Sequence, residues 1–297
     1  MRRAPWRHPY VRHLRLPFNV LLSPIFLWGA WLGGGVGDPW RAAVAYLSLH
    51  VFLYGGTNAL NSFYDRDEGP IGGMRHPPPV DRGLLTWAWA VQAAGAPLAA
   101  LVGGPFLVVW LALLFVATAY SHPRWRWKAR PSTAVAAVSL GQGGLGTLAG
   151  WAAVVDPARG WAVVADLGRP AVAVGLGAAC ALIVGLYVVS QVYQTREDRR
   201  RGDRTWSVWL GPARALRWGA AVSGVGALAM LVLVHPALGT AATLVVGSAL
   251  VPAGAIVWRW AATFDEADED GSFRRAMRFV SVGGAGLTLL LLVLLTR

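Results

Sequence analysis

Two stretches of the chain repeat one arrangement of polar side chains. The first reads Asn61-Ser62-Phe63-Tyr64-Asp65-Arg66-Asp67-Glu68-Gly69, and the second Gln194-Thr195-Arg196-Glu197-Asp198-Arg199-Arg200-Arg201-Gly202. Each is an amide, three residues, Asp-Arg, two residues and Gly, and the copies lie 133 residues apart. An amide and a carboxylate four positions apart share one face of a helix. At a helix C-terminus the macrodipole disfavours an anion, so acids placed there twice need positive partners. Arg66 and Arg199 can serve as simple ion-pair partners. A divalent cation is the alternative, because Mg²⁺ is commonly held by one or two carboxylates with phosphate oxygens and waters completing its shell. Two such half-sites facing each other across a cavity would hold a diphosphate between them. Asn61, Asp65 and Asp198 are then the expected metal ligands.

A third stretch, Tyr120-Ser121-His122-Pro123-Arg124-Trp125-Arg126-Trp127-Lys128, brings cations to the same end. Arg126 and Lys128 are suited to phosphate oxygens, which charge-assisted hydrogen bonds bind well. Lys128 is the single lysine in a chain with 26 arginines, a compact ammonium where every other cation is a guanidinium.

The elements that must position these groups follow from charge. Only 14% of the 297 residues are charged and 55% are hydrophobic; soluble domains carry about 25% charged residues. This excludes a water-soluble globule and a disordered chain, and the lone Cys180 excludes a disulfide scaffold. Seven long runs lack Asp, Glu, Lys and Arg: 16–37, 42–64, 83–123, 131–155, 170–195, 218–258 and 279–296. Five have lengths near the roughly 20 residues that cross a bilayer as a helix. The two double-length runs are expected to turn back at Gly103-Gly104-Pro105 and at His235-Pro236. The expectation is an all-α integral membrane protein: nine transmembrane helices around a central cavity, in one domain over residues 1–297 with two related halves.

With the N-terminus inside, 23 of the 27 basic residues fall in cytoplasmic segments. The positive-inside rule therefore predicts a cytoplasmic N-terminus and cytoplasmic motif loops. The net charge of +12 is thus explained by topology, with no nucleic-acid partner. No cleaved signal peptide is expected, and no protein partner is inferred. Most of the 16 tryptophans fit interfacial belts. The Gly-rich segment 141–150 fits close helix packing, and the acidic cluster 265–270 fits a solvated loop.

At these residues the chain resembles the UbiA superfamily of intramembrane prenyltransferases. The family's first Asp-rich motif, Asn-x₃-Asp-x₃-Asp, is similar to Asn61, Asp65 and Gly69; its second, Asp-x₃-Asp, is similar to Gln194 and Asp198. The segments Gly202-Asp203-Arg204-Thr205 and Tyr120-Ser121…Arg126-x-Lys128 are also similar to the family pattern. Gly69 and Gln194 each stand where the family has an acid, and Asp67 and Glu68 are possible substitutes as metal ligands. The resemblance implies a multi-pass protein of a bacterial or archaeal cell membrane. It further implies Mg²⁺-dependent transfer of an isoprenyl group from a polyprenyl (allylic) diphosphate to an unidentified aromatic or lipid acceptor. Asp65 and Asp198 would be catalytic; Arg66, Arg126, Lys128, Arg199 and Gln194 would bind diphosphate; Tyr64, Tyr120, Tyr187, Tyr193 and Gln191 would face the prenyl chain or acceptor among membrane lipids. The loop 69–79 is long and polar enough to close over the cavity, with a rigid connector as the alternative. A small-molecule transporter and a scaffold with altered catalysis are the alternatives.

Overall fold

The computed structural model describes residues 8–296. Among these residues the structure is helical, with an isolated bridge between Ile71 and Met74 and no strand. Six helices are long and apolar enough to cross a membrane: Gly83–Val102, Gly104–Ser121, Pro170–Arg201, Pro212–Leu238, Thr240–Ala262 and Glu269–Leu295. The other three charge-free runs are helical but interrupted. Leu16–Asn19 and Ser23–Leu32 are joined by a 3₁₀ turn. Pro39–Leu47 passes through a π turn, Ser48–Leu53, into Tyr54–Asp65. Pro131–Val138 passes through a second π turn, Ser139–Leu145, into Gly146–Val154.

Local chemistry explains where helices start and stop. Pro39, Pro105, Pro131, Pro170 and Pro212 stand in the first turns of their helices, where a missing N–H costs nothing. The Gly103 turn separates two helices as the sequence predicts. His235-Pro236 does not. The helix Pro212–Leu238 runs through Pro236 and the chain reverses at Gly239, whose φ is 77°. Proline in a last turn removes one hydrogen bond but does not turn the chain; positive φ does, and glycine adopts it freely.

Small residues bring the helix axes together. A Cβ at Gly29 would lie 1.9 Å from the Thr147 carbonyl oxygen, and one at Gly150 would lie 1.8 Å from that of Phe26. The helices Ser23–Leu32 and Gly146–Val154 therefore pack backbone to backbone, as small residues permit in membrane bundles. Gly150→Val is expected to overpack this crossing by about 1–3 kcal/mol. Thermal unfolding in detergent should show a lower midpoint for Gly150→Val and an unchanged one for Gly177→Ala, whose Cβ would meet nothing within 4 Å.

Candidate functional site

The helix Tyr54–Asp65 ends because Arg66 takes a left-handed conformation, φ 50° and ψ 46°, leaving Asp65 as its last residue. Lys128 reaches Asp65 from a short 3₁₀ turn, Trp127–Ala129, entered through left-handed Arg126. The Lys128 ammonium is buried; it ion-pairs with Asp65 and donates to Asn61 Oδ1 at 2.8 Å. Ser121 donates to the same Asn61 oxygen at 2.7 Å.

The second motif is not on an unbroken helix. Pro170–Gln191 passes through a 3₁₀ turn, Val192–Gln194, into the short helix Thr195–Arg201, which ends at Gly202 with φ 75°. Asp198 lies in the first turn of that short helix, so the expected opposition from a C-terminal dipole applies to Asp65 and not to Asp198. Thr205 donates to Asp198 Oδ2 at 2.9 Å. Arg201 donates to Asp67 at 2.8 Å and also pairs with Glu197. Arg126 makes a forked pair with Asp203, at 2.7 and 3.2 Å, and that hydrogen bonding raises its pKa further. The Arg204 N–H donates to the Ala129 carbonyl at 2.9 Å, tying the second motif's loop to the lysine loop. Burial pushes the Asp67 carboxyl above the ordinary carboxylate range; the Asp65 charge adds to this and Arg201 opposes it.

Asp65 and Asp198 line one cavity of about 260 Å³. Asn61, Asp67, Lys128, Gln191, Gln194, Tyr120 and Tyr187 line it too, the two phenols being hydrogen-bonded at 3.0 Å. The remaining predicted residues lie elsewhere. Arg66 is exposed, 6.0 Å from the Phe63 ring centroid, and Arg199 pairs with Glu266 on the outside. Arg126 is engaged by Asp203, and Glu68 lines a separate shallow hollow with Arg75. Tyr64 packs edge-on to His122, and Tyr193 is buried against Phe273. Two cavity cations escaped the sequence reading: Arg201, and Arg15, whose guanidinium donates to Ser62 at 2.8 Å. Arg15 looked like one more anchor in a basic tail, and its left-handed φ of 51° is the signal that only coordinates carry.

Among the described residues, no three His, Cys, Asp or Glu side chains group as a preformed metal cage. The cavity donors Asn61, Asp65, Asp67 and Asp198 are all oxygen donors, the set that suits Mg²⁺ when phosphate supplies further ligands.

A model of the UbiA prenyltransferase family matches residues 22–282. The chain belongs to this family. No curated protein matches the sequence. Among solved structures, the UbiA homolog from Archaeoglobus fulgidus bound to GPP and Mg²⁺ superposes with a TM-score of 0.62 at 19% identity, covering 94% of this chain and 99% of that one. The homolog's complex with DMAPP and Mg²⁺ gives 0.62 at 18%, covering 94% and 98%. The apo UbiA homolog from Aeropyrum pernix K1 gives 0.62 at 19%, covering 92% and 98%. This is a UbiA fold, and with its six apolar helices the chain is a multi-pass membrane protein.

The two departures from the UbiA spacing have local counterparts. A Cβ at Gly69 would sit 2.8 Å from a Glu269 carboxylate oxygen and 3.1 Å from one of Glu197. An acid there would crowd two others. Gln194 donates to the Pro70 carbonyl at 3.4 Å, which a carboxylate would repel. Arg201→Gln is expected to leave Asp67 and Glu197 without their shared cation and to lower the thermal midpoint by several degrees; exposed Arg200→Gln should leave it unchanged. Differential scanning fluorimetry of the purified variants checks both.

Proposed function

We propose that this UbiA-family protein catalyses Mg²⁺-dependent transfer of an isoprenyl group from an allylic diphosphate to an aromatic or lipid acceptor within the membrane. The observation that carries this reading is that Asp65 and Asp198, remote in sequence, line one cavity together with the cations Lys128, Arg15 and Arg201. Asn61, Asp65, Asp67 and Asp198 would hold Mg²⁺, which when bound supplies positive charge against the diphosphate leaving group. Lys128 and Arg201 donate to phosphate oxygens, where charge-assisted bonds strengthen as the C–O bond breaks and its electron pair leaves with the diphosphate. The allylic carbon, now electron-poor, faces the rings of Tyr120 and Tyr187, whose negative π faces favour a cation. Leu113, Val116, Ile183 and Leu186 of the cavity wall accommodate the prenyl chain, each buried CH₂ contributing about 0.8 kcal/mol. The acceptor then forms the new carbon bond and loses its proton.

In the proposed topology nine helical spans form two related halves, the N-terminus is cytoplasmic, and the Asp-rich ends face the cytoplasm of a bacterial or archaeal cell. Ile71 and Gly72 of the loop 69–79 line the cavity, which supports that loop as its cover. A cover of this kind excludes water that would capture the cation.

Two predictions test the reading. Asp65→Asn and Asp198→Asn should each reduce Mg²⁺-dependent diphosphate release from an allylic diphosphate by at least ~100-fold while the protein still purifies as a folded species; near-normal release from both variants refutes the ion-binding role. Lys128→Ala should weaken pyrophosphate binding, measured calorimetrically, by about tenfold or more, whereas exposed Arg130→Ala should leave it unchanged.

A further inference from the structure

The Gly-rich segment that the sequence assigns to packing also carries a polar group the diphosphate chemistry does not use. Gln142 sits on the π turn Ser139–Leu145 and lines the cavity, and among the described residues its side chain makes no hydrogen bond. Single π turns inside helices recur at functional sites. Tyr54 lines the same cavity; it is 8% exposed, its ring is edge-on to His50, and its hydroxyl likewise makes no hydrogen bond. A Cβ on Gly146, one helical turn beyond Gln142, would lie 3.3 Å from the Tyr54 hydroxyl, so the π turn and the phenol are neighbours. The segment is pinned from behind: a Cβ at Gly143 would lie 2.6 Å from Cys180 Cα, and the Cys180 thiol donates to the Ser139 carbonyl. Gln142 is held in place, facing inward.

Depth separates this pair from the ion site. Tyr54 precedes Asp65 by eleven residues, and Gln142 follows Pro131, next to the lysine loop, by eleven. At the helical rise both lie roughly 16 Å inward of the charged end. Arg15, Lys128 and Arg201 belong to that end, whereas the lining beside the pair is uncharged: Thr57 and Asn58 follow Tyr54 by about one helical turn, and Gly141 precedes Gln142. A carboxamide offers both a donor and an acceptor, and a phenol does the same. Polar groups withdrawn from bulk water and left unmatched favour a ligand that supplies the partners.

Building on the prenyl-transfer reading, we infer that Tyr54 and Gln142 form a subsite for the acceptor, recognising an uncharged oxygen function, a hydroxyl or carbonyl on a ring. An acceptor carrying its charge at this depth would lack a counter-ion.

Equilibrium binding to the purified full chain tests this independently of turnover. The probes are 2-methyl-1,4-naphthoquinone, its hydroquinone, benzoate and dioctanoylglycerol, followed by tryptophan quenching or calorimetry. The quinone or hydroquinone should bind the unmodified protein, and Gln142→Leu and Tyr54→Phe should each weaken it fivefold or more while Mg²⁺–pyrophosphate affinity stays unchanged. If Gln142→Leu fails to fold, Tyr54→Phe, which removes one oxygen atom, gives the answer alone. Equal binding to variants and parent, preference for benzoate, or no binding by any probe overturns the subsite. Failure of the parent protein to release diphosphate would instead overturn the prenyl-transfer reading and leave the binding result to be judged separately.

Discussion

A buried ammonium held between a carboxamide and a carboxylate organises the charged end of this bundle. Lys128 joins Asn61 and Asp65 at the end of one helix to a loop that would otherwise be free of it. A carboxylate withdrawn from water is tolerated when a cation or several donors share its burial. The same solution recurs around the cavity: Arg201 for Asp67, Thr205 for Asp198, Arg126 for Asp203. In most of these pairs the partners come from separate stretches of the chain. The two motif ends and the lysine loop therefore depend on one another; displacing any of them leaves a buried charge alone.

On the proposed function, this balance also explains how the cavity admits its substrate. A metal–diphosphate brings both signs of charge. With such a ligand bound, Asp65 and Asp67 would have a metal's positive charge in place of Lys128 and Arg201, and the two cations would have phosphate oxygens as partners. No charge would then be stranded, which avoids the large cost of an unpaired ion in a low-dielectric interior. The buried Asp67 carboxyl, pushed above the ordinary carboxylate range by burial, is an acid whose ionised form an added positive charge would favour.

The sequence made much of this legible, and helical geometry accounts for what it did not. The charge-free runs mark helices because the bilayer excludes charge, and the Gly103 turn is local chemistry. The π and 3₁₀ interruptions are not legible in the charge-free runs; the second π turn falls within the Gly-rich stretch, where Gly143 packs against Cys180. Among the arginines, adjacency to an acid in the sequence does not decide which side chain lines the cavity. A residue next to an acid on a helix lies about 100° around the axis, whereas one three positions on shares its face. Arg199 follows Asp198 directly and turns outward to Glu266; Arg201, three on, turns into the cavity. Arg66 fails for a different reason, since its left-handed backbone redirects it away from Asp65 altogether.

The helical run 131–154 shows how one element serves the whole cavity. Its first residues follow the lysine loop, so that end shares the charged mouth. Its middle is the π turn, which changes the helical phase and turns Gln142 toward the interior. Its far end carries Gly150, packed directly on the Phe26 backbone, and backbone contact leaves no room for a ligand there. A run of small residues thus has two consequences. Where the helices touch, glycine closes the space between them; about two turns earlier, the π turn interrupts the same run. The cavity ends where the glycines meet a neighbour and opens where the bulge lifts a polar side chain into it. A packing contact and a polar cavity-lining side chain thus come from one Gly-rich run.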